Sequence, residues 1–443
     1  MSKKFSSALV LLMLVCLVAD GLLSAVSAQT SAPRAAQNAA IISTTDAVLK
    51  ETSEIRELTI LRGVKSGAQS RSEIERVIIK NLDADTTPAE MYAAEALLKA
   101  FGLAPSDFAY RAFLIKLLSE QVAGYYDPRA KQFYLADWIE LDGQKPVMAH
   151  ELTHALQDQH FNLRRFEKWP NGDSDAELAS RALIEGDATL AMTHYLLKHP
   201  LIALSFMRTS QDTPSVEFEK APRAIRESLL FPYMEGSNWA TEVHERGGWA
   251  MVSKAFTKLP QSTEQILHPE KYFTYEGPVK VTLPNFMGAL GPGWKRIDND
   301  VSGEWGYYLV LDEYLKNVAE SKQAAAGWGG DRFAIYEGPQ KSGMFLAQVT
   351  AWDTLADAQE FFDAYSKRTV KRLGDVSAFQ PETSDGENKR SEWKAPAGNG
   401  VIELRGSRVV ILEGIPAKAN AKKLLSMVWQ QPRRHATKSS RKS

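Results

Sequence analysis

The spacing of apolar and polar residues changes period along this chain, and the change marks two regions. Up to about residue 285 the spacing is mostly helical. In "SRSEIERVIIKNL" apolar residues return every three or four positions, and Ser72 and Glu75 fit a capping box. "TTPAEMYAAEALLKAFG" predicts a second helix, with Thr87 as N-cap, Pro88 in the first turn, Glu90 reaching back and Gly102 as the stop. "SDFAYRAFLIKLLSEQVAG" predicts a third, ended by Gly124. The helical texture then breaks once. "AGYYD" and "QFYLA" flank Asp127-Pro128-Arg129-Ala130-Lys131 and read as a β-hairpin. Helices resume from about Pro146 to Phe161 and from Ser174 to Leu197. More helix fills 216–257, with breaks expected at Pro232 and Gly236.

Around 276–294 the chain turns Gly- and Pro-rich, and a domain boundary is expected there. Beyond it the period drops towards two. "RFAIYE" and "GMFLAQVTAW" read as strands, and "TLADAQEFFDAYSKRTVKRLG" as a helix capped by Thr354 and Asp357. "GVIELRGSRVVILEG" reads as a hairpin turning at Gly406-Ser407, and a last helix covers about 417–429. Phe361, Phe362 and Tyr365 fall on the core side of the first of these helices. The fold class is therefore α+β: a mainly helical region over 45–285 with a small hairpin, then a smaller antiparallel α+β domain over 295–430.

Composition narrows the setting. The 443 residues are 44% apolar, enough for sizeable cores. Lys and Arg number 53 against 54 Asp and Glu, so nothing invites nucleic acid. Lys3 and Lys4 precede the apolar run "ALVLLMLVCLVA", too short to span a bilayer comfortably, and small residues follow. Residues 1–28 thus read as a cleavable export signal, and the mature chain as periplasmic or extracellular. The single cysteine, Cys16, lies inside that signal, so no disulfide is expected. Residues 29–44, small and polar, read as a linker, and the basic residues 431–443 as a solvated tail. The capped helices before residue 110 favour an integral part of the fold over a removable pro-region. No later segment is apolar enough to cross a membrane.

The candidate chemistry lies in "VMAHELTHALQDQHF", which holds three of the eight histidines. A helix turns about 100° per residue, so His150 and His154 point the same way, one turn apart, and can bind one metal ion together. Glu151 is offset beside them, where its carboxylate can take a proton from a metal-activated water. A catalytic zinc has tetrahedral geometry and keeps one position open for water, so one more protein ligand is needed.

Two residues compete for that place. His160 stands ten positions after His150, a spacing that serves when a glycine breaks the helix after the second histidine. Gln157 occupies that position and favours continued helix, which would turn His160 away. Glu185, mid-helix in "ELASRALIEGDATLAM", is the favoured alternative, although Arg181 one turn earlier could pair with it. Gly186 suggests close packing against another backbone, such as the His150 helix. Asp187 points away from Glu185 and suits an outer role, supporting a ligand histidine.

"AHELTHALQDQHF" followed by "ALIEGDA" resembles the gluzincin branch of zinc metallopeptidases, the broad group that contains thermolysin. Together with "GYYDP" and "STEQILHPEKY", the likeness extends over roughly 115–275 to a group of exported bacterial proteins. The resemblance implies a zincin-like catalytic domain over 45–285 with one zinc ion, His150, His154 and Glu185 as ligands, and Glu151 as general base. A protein or peptide substrate would pair with an edge strand beside the active-site helix, for which "QFYLA" is the candidate. Tyr233, His244 and His268 are candidates to stabilise the oxyanion. The expected activity is an exported zinc metalloendopeptidase. A zincin-fold binding or scaffold protein with a structural zinc is the alternative, and a zinc hydrolase of non-peptide amides a third. Residues 295–430 carry no assignable motif.

Overall fold

The computed structural model describes residues 31–138, 141–168, 172–211, 216–374, 380–384, 387–396 and 398–431. The expected signal segment 1–28 and all of the basic tail except Gln431 lie outside the described residues. The chain divides into two compact units. The first takes 1–91, 109–170 and 177–260, and the second takes 92–108, 171–176 and 261–443.

In the first unit the expected linker is not one. Ser31–Arg56 is a continuous helix. Its Ala-rich start favours helix, and Pro33 sits in the first turn, where its missing N–H costs nothing. Ile41, Thr45, Val48, Leu49, Thr52 and Ile55 are buried at helical spacing. The next helix, Arg71–Asp85, is capped by Ser70 and Glu73, not by Ser72 and Glu75. Both pairs satisfy the same motif; the earlier cap leaves a longer helix with more backbone bonds, and Ile74, Ile78 and Leu82 still face inward. Thr87 and Glu90 make the expected reciprocal bonds ahead of Pro88–Phe101.

Three strands form a small sheet: β1 (Lys65–Gln69), β2 (Gly124–Asp127) and β3 (Gln132–Ala136). The hairpin of β2 and β3 is as expected, but β1 adds in parallel to the other side of β3. The order β1-β3-β2 makes "QFYLA" the central strand and corrects its reading as an edge. "KSGAQ" lacks apolar alternation, so nothing local announced β1. Tyr125 and Ala136 pack under Ile74, Ile78, Leu118 and Val122, which pins the sheet to its helices.

Behind the hairpin runs Leu141–Phe161, followed by Ser174–Lys198. The former starts before the expected Pro146, which falls early enough that only one ladder bond is lost. Arg223–Ala255 passes through Pro232 and Gly236 without a break. Its kink is at Gly247 and Gly248 instead, and Gly248 has φ 63°, a conformation open to glycine.

The second unit is built on a seven-stranded antiparallel sheet: β4 (Lys295–Asp300), β5 (Trp328–Glu337), β6 (Met344–Trp352), β7 (Gln380–Ser384), β8 (Asn388–Trp393), β9 (Asn399–Arg405) and β10 (Arg408–Ile415). Their order is β4-β5-β6-β10-β9-β8-β7. The strands legible in the sequence are the four central ones. The polar flanking strands β4, β7 and β8 do not show the alternation. One face is covered by Leu424, Leu425 and Val428 of Ala421–Trp429. Phe361, Phe362 and Tyr365 of Leu355–Leu373 are buried core residues, as expected.

The boundary expected around 276–294 falls at Gln261, and two earlier segments join the second unit. Their attachments are long-range: Asp300 accepts from Ser174 N at 2.8 Å, and the Tyr314 hydroxyl donates to Gly102 O at 2.9 Å. The α+β class holds for the molecule. No described helix is long and apolar enough to cross a membrane.

Candidate metal centre

Leu141–Phe161 stays helical through Gln157, so His150 and His154 share a face, buried to 1% and 9% exposure. Their Nε2 atoms lie 3.1 Å apart. Glu185, mid-way along Ser174–Lys198, brings Oε2 to 3.1 Å from His150 Nε2 and 3.3 Å from His154 Nε2. Three lone-pair donors therefore form a nearly equilateral triangle. Ligands about 2.0–2.1 Å from a tetrahedral ion lie about 3.3 Å from one another, so the triangle fits one face of a zinc site. The donor set of two imidazoles and one carboxylate also suits zinc.

Charge agrees with geometry. Burial opposes charge on both Glu185 and His154, yet their mutual attraction outweighs it: Glu185 is held down to about 2 and His154 raised to about 9. His150 moves the other way, lowered by burial. The triangle thus favours one positive charge among its three members, which a proton or a metal ion can provide.

Glu151 is 4% exposed, and one of its carboxylate oxygens lies within 4.8 Å of a ring nitrogen of His150 and of His154. It is nevertheless tied elsewhere: Tyr126 N of β2 donates to Glu151 Oε2 at 2.7 Å. Burial raises its carboxyl to about 7, with Glu185 adding to the rise and His154 opposing it. A carboxyl so tuned suits proton transfer near neutral pH.

The rivals resolve by placement. His160 Nε2 lies 2.8 Å from Thr59 O, away from the triangle, because the helix never breaks. Arg181 pairs with Glu177, one turn back, and leaves Glu185 to the histidines. Gly186 does mark a close backbone approach, but to a different helix from the one expected. A Cβ there would meet Gly236 O at 2.1 Å. This contact seats Arg223–Ala255 against the Glu185 helix, and Tyr233, one turn before Gly236, has its ring centre 6.0 Å from that of His150. Of the three oxyanion candidates, Tyr233 is the one placed beside the site. His244 packs on His194 and Trp249. His268, in the second unit, bonds Glu304 at 2.9 Å.

Asp187 supports a histidine only through an intermediary. Gln157 Oε1 lies 2.9 Å from His154 Nδ1, and Gln157 Nε2 donates to Asp187 Oδ2 at 2.9 Å. Gln157 is therefore more than the helix former its residue type suggests. Its position three residues after His154, on the same helix face, was the signal that could have found it. Tyr126 and Arg56, which also reach this network, carry no local signal.

Comparison with known proteins bears on the other unit. A family model described as a domain of unknown function, DUF8575, matches residues 292–425, a stretch that holds β4 to β10 and none of His150, Glu151, His154 and Glu185. No curated protein and no solved structure matches the chain.

Proposed function

We propose that this chain is an exported zinc-dependent metallopeptidase of the gluzincin type. The observation that carries the reading is the meeting of His150 Nε2, His154 Nε2 and Glu185 Oε2 at 3.1–3.3 Å, with buried Glu151 alongside. Export rests on the character of residues 1–28. One zinc ion bound by the three would act as a Lewis acid on the attacking water and the scissile carbonyl.

The chain's own residues supply the rest. Glu151, oriented by Tyr126 N–H, receives the proton of the attacking water and returns it to the leaving nitrogen. The Tyr233 ring beside His150 brings a phenol to the neighbourhood where oxyanion charge would develop. Substrate pairing does not fall to β3, which is central, nor to the outer edge of β2: Gly124–Tyr126 is buried there and Tyr126 N–H is already given to Glu151.

The test is Glu151→Gln beside wild type, read for bound zinc and for hydrolysis of a broad peptide library. The peptidase reading expects about one zinc per chain in both proteins. It also expects a fall in kcat/KM of at least about 100-fold in the variant, the lower end of what a positioned acid–base group contributes. A wild type that binds zinc and cleaves nothing would leave the structural-zinc scaffold as the better account.

A further inference from the structure

The Ser31–Arg56 helix ends in a fully buried cation. Arg56 Nε donates to Asp187 Oδ1 at 2.5 Å, and its Nη1 donates to Ser253 Oγ at 3.1 Å. The guanidinium lies 4.7 Å from the centre of the Trp249 ring. Asp187, also fully buried, uses its other oxygen to accept from Gln157 Nε2. The second proton of that amide goes to Ile184 O at 3.0 Å, the carbonyl just before Glu185.

These bonds leave Gln157 no freedom. Both N–H groups are spent, so Oε1 must be the atom that faces His154 Nδ1. An amide oxygen only accepts. His154 must therefore carry a proton on Nδ1, which leaves Nε2, on the side of His150 and Glu185, as the nitrogen that can bind a metal ion. His150 has no such guide among the described residues, where its buried Nδ1 meets no hydrogen-bond partner. Control of the histidine pair falls on His154.

We propose that Arg56, Asp187 and Gln157 are positioning residues that fix the Nδ1–H tautomer of His154 and so set the metal affinity of the site. The proposal rests on the zinc reading above. It makes the N-terminal helix part of the site: Arg56 holds the Asp187 charge, Asp187 and Ile184 O hold the Gln157 amide, and Gln157 Oε1 holds the imidazole.

The test measures zinc affinity by competition with a chromophoric chelator, and records imidazole nitrogen NMR spectra of the zinc-loaded protein. In wild type, His154 should show a protonated Nδ1 and a metal-bound Nε2. The reverse pattern overturns the proposal without any variant. Gln157→Ala should weaken zinc binding about 10–100-fold, as loss of an outer partner of a ligand histidine does. Gln157→Glu combined with Asp187→Asn keeps an acceptor towards His154 and the net charge opposite Arg56 but loses the donor to Ile184 O, so it should bind zinc more tightly than Gln157→Ala and less tightly than wild type. Arg56→Gln should weaken binding, and adding Asp187→Asn should weaken it little further, because residues in one chain of bonds are not additive. If Gln157→Ala lowers the melting temperature yet binds zinc like wild type, the network is only structural and the proposal fails alone. If wild type takes up no zinc, the metal reading falls and takes this one with it.

Discussion

Glu185 and His160 show how much depends on where one side chain points. Both stood as candidates for the third ligand. His160 donates to or accepts from nothing in the triangle; its Nε2 is engaged with Thr59 O. Glu185 closes the triangle. Glu185→Ala should cost more zinc affinity than the about 100-fold that changes in outer partners reach. His160→Ala should leave zinc affinity unchanged and cost about 1 kcal/mol of stability for one partly exposed hydrogen bond. Metal content after gel filtration, with thermal denaturation beside it, checks both. Zinc loss in His160→Ala with retention in Glu185→Ala would reverse the ligand assignment.

At the scale of elements, two helical glycines have opposite meanings. Gly143, in Leu141–Phe161, faces open space, and a Cβ there meets nothing within 4 Å. Gly186 is pressed on Gly236 O. Gly143→Ala should therefore be neutral or stabilising by up to about 1 kcal/mol, the difference in helix propensity. Gly186→Ala gains the same propensity but must force two helices apart, an overpacking cost of about 1–3 kcal/mol. Its melting temperature should fall by several degrees, roughly 2–4 °C per kcal/mol for a domain of this size. Zinc affinity should fall too, since Glu185 and Tyr233 both depend on that contact. Equal melting temperatures for the two variants would remove Gly186 from this role.

Over the whole molecule, all candidate ligands and their supports lie in the first unit. A ligand that binds only the folded state stabilises it by about 2.7 kcal/mol at a hundred times its Kd. Hydrogen exchange with and without zinc should show added protection in Leu141–Phe161, in Ser174–Lys198 and near Arg56. The central strands β5, β6, β9 and β10 should exchange at the same rates in both states. Protection confined to the seven-stranded sheet would mean that the metal binds elsewhere.

The sequence alone determined whatever depends on neighbours a few residues apart. Helical period placed His150 and His154 on one face, with Glu151 offset beside them. Turn chemistry marked the hairpin at Asp127–Lys131, and Thr354 and Asp357 capped their helix as expected. Local rules failed where two local solutions were equal or where the signal was absent. Ser70 and Ser72 offered the same cap, and "KSGAQ" became a strand only because β3 had a free side. The tertiary structure alone decided the rest: that Glu185 faces the histidines and His160 does not, that Gly186 meets Gly236, and that Arg56 reaches Asp187 across 131 positions of chain. The physical reason is the same in each case. A side chain's direction follows from its own helix, but its partner follows from how helices pack, and packing is settled by contacts too distant in sequence to leave a local pattern.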